Sequence, residues 1–150
     1  MTGSSVVRQV MRQTESHRTR IAFFAGLQLN IDTMPPEQKV VMNNTITNVG
    51  NAYDAERGEF CATVDGVYAL IVAISAQGQK QAAVRLMHND KHIFDVWCES
   101  SPWSTATNQA LLLMRRGDCA WLQLRDSAIY LHGYMYSTFA GYLLFEHPLV

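Results

Sequence analysis

The residues with the clearest chemical potential lie in two stretches of the second half of the chain. Trp103, Tyr130, His132, Tyr134 and Tyr136 stand among serines, threonines and asparagines, with Ser104 directly after the tryptophan. Aromatic faces beside hydroxyl and amide groups suit a sugar. The C–H face of a pyranose stacks on the aromatic ring while its hydroxyls bond the polar groups. Trp103, mid-loop after Pro102, is the best placed; Tyr130 and Tyr136 border strands and fit a core or an interface as well. The candidate ligand-binding residues are therefore Trp103, Ser104, Tyr130, His132 and Tyr134.

Other chemistry is thinner. His88 and His92 flank a turn, with Asp90 and Asp95 nearby. An imidazole pair suits zinc or copper, but a solvated hairpin accounts for the pattern, and no metal site is expected. Cys61, Cys98 and Cys119 have no CxxC spacing and cannot all pair within one chain, which argues against a zinc site of the usual kind. Asn43-Asn44-Thr45 is a glycosylation sequon, which fits export and arises as easily by chance. No Gly-x-Ser-x-Gly elbow, phosphate-cradling glycine loop or His-Glu-x-x-His pair is present, so neither catalysis nor a cofactor is expected.

Composition narrows the class. The 150 residues are 48% hydrophobic and 17% charged, enough for one core-rich globular domain. A formal net charge of -1 gives no reason to expect nucleic acid as a partner. The longest apolar run falls far short of the ~20 residues that span a bilayer. The N-terminal stretch also lacks the apolar segment of a signal peptide, so the expectation is either a mature or recombinant form of a secreted protein or a cytoplasmic one. Residues 1–19 form a polar arm in which Val6, Val7, Val10 and Met11 have helix-like spacing among arginines. Such a segment is either a frayed arm or a short helix joining subunits. The globular domain is expected over residues 20–150.

The elements that must position these residues are strands. Residues 66–76 hold a continuous apolar run, rich in β-branched and aromatic residues, that opens on Gly66 and closes at the Gln77-Gly78-Gln79 turn. Residues 22–27, 40–49, 93–97, 110–114 and 139–145 also read as strands. Residues 59–65, 83–87 and 120–124 show alternation with one wet face. Pro35 and Pro36 enforce a loop, Asn89-Asp90 a hairpin turn, and residues 98–108 and 125–136 are expected to be loops. No segment has a capped helical period. The expectation is an all-β sandwich of about ten strands. If successive strands run antiparallel, the loops 77–81, 98–108 and 125–136 share one end, while residues 88–92 lie at the other with both termini. The runs 67–74, 110–114 and 139–145 are apolar throughout. Gathered in one sheet, they would leave an outer apolar patch larger than soluble monomers usually tolerate, so self-association is expected.

Several motifs, taken together, resemble the C1q-domain family of the C1q/tumour necrosis factor superfamily. They are Asn48-Val49-Gly50-Asn51-Ala52-Tyr53, Gly58-Glu59-Phe60, Gly66-Val67-Tyr68, Gly117-Asp118-Cys119-Ala120-Trp121-Leu122 and the stretch from Ser137 to Leu144. They occur in the family's order and cover roughly residues 20–145. The resemblance implies a ten-stranded jelly roll that trimerises through its greasy sheet, with Tyr68, Leu70, Val72, Leu112, Phe139 and Tyr142 at the homotrimer interface. Gly66 and Gly117 would open strands at turns where positive φ is free to glycine. The family's strand order makes the strands of Cys61 and Cys119 neighbours, so a bridge between them is geometrically feasible; free buried thiols are the preferred alternative.

Some relatives bind calcium through acidic loop residues, but residues 98–108 offer only Glu99, so the loop sequence does not support a calcium cluster there. No Gly-X-Y repeat precedes the domain. The chain is thus similar to short invertebrate members that are secreted lectins or pattern-recognition proteins. By that resemblance it would bind glycans such as microbial surface polysaccharides, without inserting in a membrane. A cytokine-like or adhesive ligand for a protein receptor, or a structural matrix module, would use the same fold.

Overall fold

A computed structural model describes residues 18–102 and 104–148. The helix-like spacing at Val6–Met11 and the side chain of Trp103 lie outside the described residues. Among the described residues, eleven strands form two antiparallel sheets packed face to face. The first sheet contains, in spatial order, β3 (Asn44–Val49), β1 (Ala22–Gly26), β11 (Thr138–Glu146), β6 (Gly66–Ser75) and β9 (Thr105–Met114). The second contains β4 (Tyr53–Asp54), β5 (Glu59–Cys61), β10 (Cys119–Ile129), β7 (Ala82–His88) and β8 (Lys91–Cys98), with the short β2 (Lys39–Val40) also paired to β10. This is a jelly roll. The three continuously apolar runs became β6, β9 and β11, neighbours in the first sheet, and the alternating segments became β5, β7 and β10 in the second.

Two expected loops are shorter than the sequence suggested. Residues 105–108 join β9, their backbones pairing with residues 72–75 of β6 despite the polar side chains of Thr105, Thr107 and Asn108. β10 runs on to Ile129 through a break in register after Leu124, where Asp126 adopts φ +43°. A bulge of this kind hides a strand behind what looks like a polar loop.

The core is closed by aromatic residues from both sheets. The Phe23 ring of β1 stacks on Tyr53 and Phe60 at 4.9 and 4.7 Å and meets Phe139 edge-on at 5.0 Å. Such pairs add about 0.5–1.5 kcal/mol each beyond the area they bury. The buried Tyr53 hydroxyl donates to Met42 O at 2.6 Å and that of Tyr68 to Val64 O at 2.7 Å. Burial pushes both phenols above their ordinary pKa, so they remain donors.

Two glycines differ in their reason for being there. Gly117 has φ +92°, as a turn requires. Gly66 is instead glycine because β11 passes against it: an added Cβ would stand 2.7 Å from Phe145 O and 2.8 Å from Leu143 Cδ1. Positive φ is not its reason, contrary to the expectation.

The preferred reading of the cysteines is also corrected. Cys61 and Cys119 face each other across the β5–β10 pair, with Cα atoms 4.0 Å apart, and are joined as a disulfide. Cys98 is a free, buried thiol. The two histidines each engage a different carboxylate. His88 Nε2 lies 2.9 Å from Asp118 Oδ2, and His92 Nε2 lies 3.0 Å from Asp95 Oδ1. Asp95 also accepts from Arg85 and Arg125. Burial pushes its carboxyl up, but the Arg85 hydrogen bond and the charges of Arg85, Arg125 and His92 outweigh this and hold it below the usual range.

Candidate functional site

The expected meeting of loops at one end occurs, joined by a segment the sequence did not mark, residues 27–31. Ala76 N–H donates to Ser104 O, Gln77 N–H to Tyr130 O, and Tyr130 N–H to Gln81 O, so the loops after β6, β8 and β10 are tied by backbone bonds. Gln77 Nε2 then bridges the remaining segment by donating to Ile31 O at 3.0 Å and Leu131 O at 3.1 Å. Beneath them the buried Ser137 hydroxyl takes the N–H of Ser75 at 3.1 Å and donates to His132 O at 2.9 Å. Ser75 Oγ donates in turn to Ser104 O. A buried hydroxyl is tolerated only when satisfied in this way, and once satisfied it rigidifies its surroundings. Single Ser and Gln residues in loops carry no sequence signal for such a role.

The aromatic residues are held on this frame. The His132 ring stacks on Tyr136 at 4.3 Å with 18° between planes, and Tyr134 stands edge-on to His132 at 6.0 Å. Tyr134 is 60% exposed, and Tyr136 is similarly open. Tyr134 and Met135 adopt φ +54° and +68°, a strained turn fixed by bonds from Tyr134 N–H to Gln28 O and from Met135 N–H to Leu27 O. Gly133 N–H donates to Asn30 Oδ1 at 2.8 Å, and an added Cβ at Gly133 would stand 2.7 Å from the backbone N of Asn30. The turn is thus pinned from both sides before any ligand arrives.

Beside it a cleft of about 480 Å³ is lined by Ala76, Gly78, Gln79, Pro102 and His132. Tyr130, half-buried, lies farther round the same end and carries Lys80 Nζ over its ring at 4.9 Å. Ser104 is half-buried, with its carbonyl occupied by the frame, so it supports the loops. The structure therefore brings together His132 and Tyr134, adds Tyr136, places Tyr130 at the margin, and gives Ser104 a framework role. Glu99 is engaged by Gln81 Nε2 at 3.0 Å. Among the described residues the one cluster of three metal-type ligands is Glu59, Cys61 and Cys119, and its two sulfurs are joined to each other.

The outer face of the first sheet is the second surface of note. Of the six residues expected between copies, Tyr68, Leu70, Val72 and Phe139 are buried inside the subunit and Leu112 packs against the same core; only Tyr142 faces out. The side-chain period of a strand is two, so a uniformly apolar run does not reveal which residue points which way. The register supplies the answer. Val49, Ala22, Tyr142, Ala69 and Leu111 form a row across all five strands, and Thr47, Phe24, Ala140, Ile71 and Gln109 form the next. Toward the termini Phe145, Val67 and Leu113 continue the apolar surface; toward the aromatic end Asn44, Gly26, Thr138, Ala73 and Thr107 make it polar. Leu111, Leu113, Leu144, Phe145 and Val49 are all about half exposed or more.

This sheet order, with one sheet greasy on both faces, defines a jelly roll of the C1q/tumour necrosis factor type, a fold for which trimer assembly is typical. More narrowly, the chain belongs to the C1q domain family, whose profile matches residues 22–144. It is 32% identical over 130 residues to complement C1q tumor necrosis factor-related protein 3 of Mus musculus, covering 85% of this chain and 52% of that protein. It is 31% identical to Caprin-2 of Danio rerio over 134 residues, covering 85% of this chain and 14% of the other. The chain thus spans about half the length of the first relative and a small part of the second. Among solved structures, the globular domain of zebrafish complement 1qA superposes with a TM-score of 0.68 at 19% identity, over 85% of this chain and 99% of that one. Eiger TNF from S. frugiperda superposes with a TM-score of 0.69 at 13% identity, over 88% and 97%. These two likenesses establish the fold. Domains of this type are generally non-enzymatic, and no described helix is long and apolar enough to cross a membrane.

Proposed function

We infer that this chain is a non-catalytic recognition domain that trimerises through the outer face of its first sheet and binds carbohydrate at the aromatic end. The observation that carries this reading is the pinned turn at residues 132–136. It presents an exposed Tyr134 and a His132–Tyr136 stack beside a cleft bordered by Gln79 and backbone polar groups. Flat rings held in place lose little entropy on binding. A single sugar contact on such an open site is weak, and three copies on one rigid assembly raise the avidity without new contacts. The Cys61–Cys119 disulfide supports work outside the reducing cytosol, where a pattern-recognition protein meets microbial polysaccharides.

The test is a glycan array probed with the purified protein, with and without chelator. Selective retention competed by the free sugar, and weakened by Tyr134→Ala and His132→Ala in a chain that still assembles, is the expected result. No retention on any glycan or bacterial polysaccharide overturns the reading and favours a protein receptor instead.

A further inference from the structure

We propose that Asn43 carries an N-linked glycan. The sequon Asn43-Asn44-Thr45 is one argument, and two structural features make it specific. Asn43 is exposed in the short non-strand link before β3, and its Oδ1 accepts from Gln28 N–H at 3.2 Å. That bond holds the carbonyl side of the amide against the protein and leaves the Nδ2 side for attachment. Thr45 Oγ1, in contrast, is shut off from solvent with no hydrogen-bond partner among the described residues. A hydroxyl left so costs stability, so folding alone would favour an apolar side chain there. Its use lies earlier, on the unfolded chain, where a hydroxyl two residues after the asparagine is what the transferring enzyme requires.

The modification is a group transfer from a lipid-diphosphate-linked oligosaccharide. An Nδ2–C1 bond forms and the C1–O bond to the diphosphate breaks. The lipid diphosphate leaves with the bonding pair, and Nδ2 gives up one proton to solvent. The position is compatible with assembly. Asn44 pairs with Gly26 at the polar limit of the sheet's outer face, four residues along β1 from the Ala22–Tyr142 row, roughly 13 Å at about 3.3 Å per residue. A bulky sugar on Asn43 thus stays clear of Tyr142 and Leu111. It stands instead at the aromatic end, where Gln28 O also takes the N–H of Tyr134.

This inference rests on the reading that the chain is exported, and not on its binding glycans. The full chain is directed through the secretory pathway of a eukaryotic host and treated with peptide N-glycosidase in heavy-oxygen water. Conversion of Asn43 to labelled Asp in the purified protein is the expected result. The label disappears in Asn43→Gln and Thr45→Ala and survives in Thr45→Ser. Thr45→Ala should melt no lower than the unmutated, deglycosylated chain, because it removes an unsatisfied hydroxyl. Unmodified Asn43 in secreted protein whose Cys61–Cys119 bridge has formed overturns the proposal, and leaves the array experiment above unaffected.

Discussion

Leu111→Ala separates the surface between copies from the subunit core. Leu111 lies at the centre of the outward β9 row and is 60% exposed. Fully burying a leucine side chain contributes about 1.5–3 kcal/mol, so about 1–2 kcal/mol per copy remains to be gained on assembly at that exposure. Three copies lose about 3–6 kcal/mol when the side chain is truncated. At about 1.4 kcal/mol per tenfold, the trimer association constant falls roughly a hundredfold to ten-thousandfold. The isolated subunit should scarcely notice, since surface changes usually stay within about 0.5 kcal/mol. Leu70→Ala, one residue out of phase on the paired strand and fully buried, should do the opposite. It leaves a cavity, costs about 2–5 kcal/mol of folding stability and lowers the urea midpoint. Sedimentation equilibrium across a concentration series reads the first effect and urea titration the second. A wild-type chain that remains monomeric at micromolar concentration, or Leu111→Ala assembling as tightly as wild type, refutes the argument.

Three further outcomes are expected. Replacing both Cys61 and Cys119 by serine opens a cross-link that spans 58 residues. The chain-entropy relation puts the loss at about 4 kcal/mol, and chemical denaturation with and without reductant measures it; equal midpoints would show that the bridge does not contribute. For pH, the Asp95 and Asp118 carboxyls lie below their usual range in the folded chain. The unfolded chain therefore binds more protons in acid. The stabilisation is complete well above the unfolded carboxylate value of about 3.9 and is lost as pH falls through the folded values. Asp95→Asn should flatten the acid limb of a melting-temperature profile, and an unchanged limb would remove Asp95 from the explanation. Tyr136→Ala, which strips the ring stacked on His132, should lower glycan retention severalfold at unchanged oligomeric state; equal retention would place the sugar elsewhere.

Much of the architecture was legible in the sequence because two kinds of strand differ in pattern. Residues 59–65, 83–87 and 120–124 mix apolar with polar residues because one face of their sheet meets solvent, while residues 67–74, 110–114 and 139–145 are apolar throughout. The separation of the two sheets followed from that contrast, and the end at which the loops gather followed from the antiparallel succession of strands. The aromatic loop was legible in part: His132 and Tyr134 stood out by type, whereas Gln77, Ser75 and Ser137 did not. Their role depends on neighbours 46 to 62 residues away.

By itself, the sequence determined the all-β class, the grouping of the greasy strands and the surplus of apolar surface, all of which are properties of local pattern. Tertiary structure alone decided which side of those strands faces out. In a run without alternation both assignments satisfy the pattern equally, and only packing against the second sheet chooses Tyr68, Leu70 and Leu112 for the interior. It also decided the disulfide, since β5 and β10 must be in register before Cys61 and Cys119 can meet. Both outcomes depend on contacts between residues far apart in the chain, which local pattern does not encode.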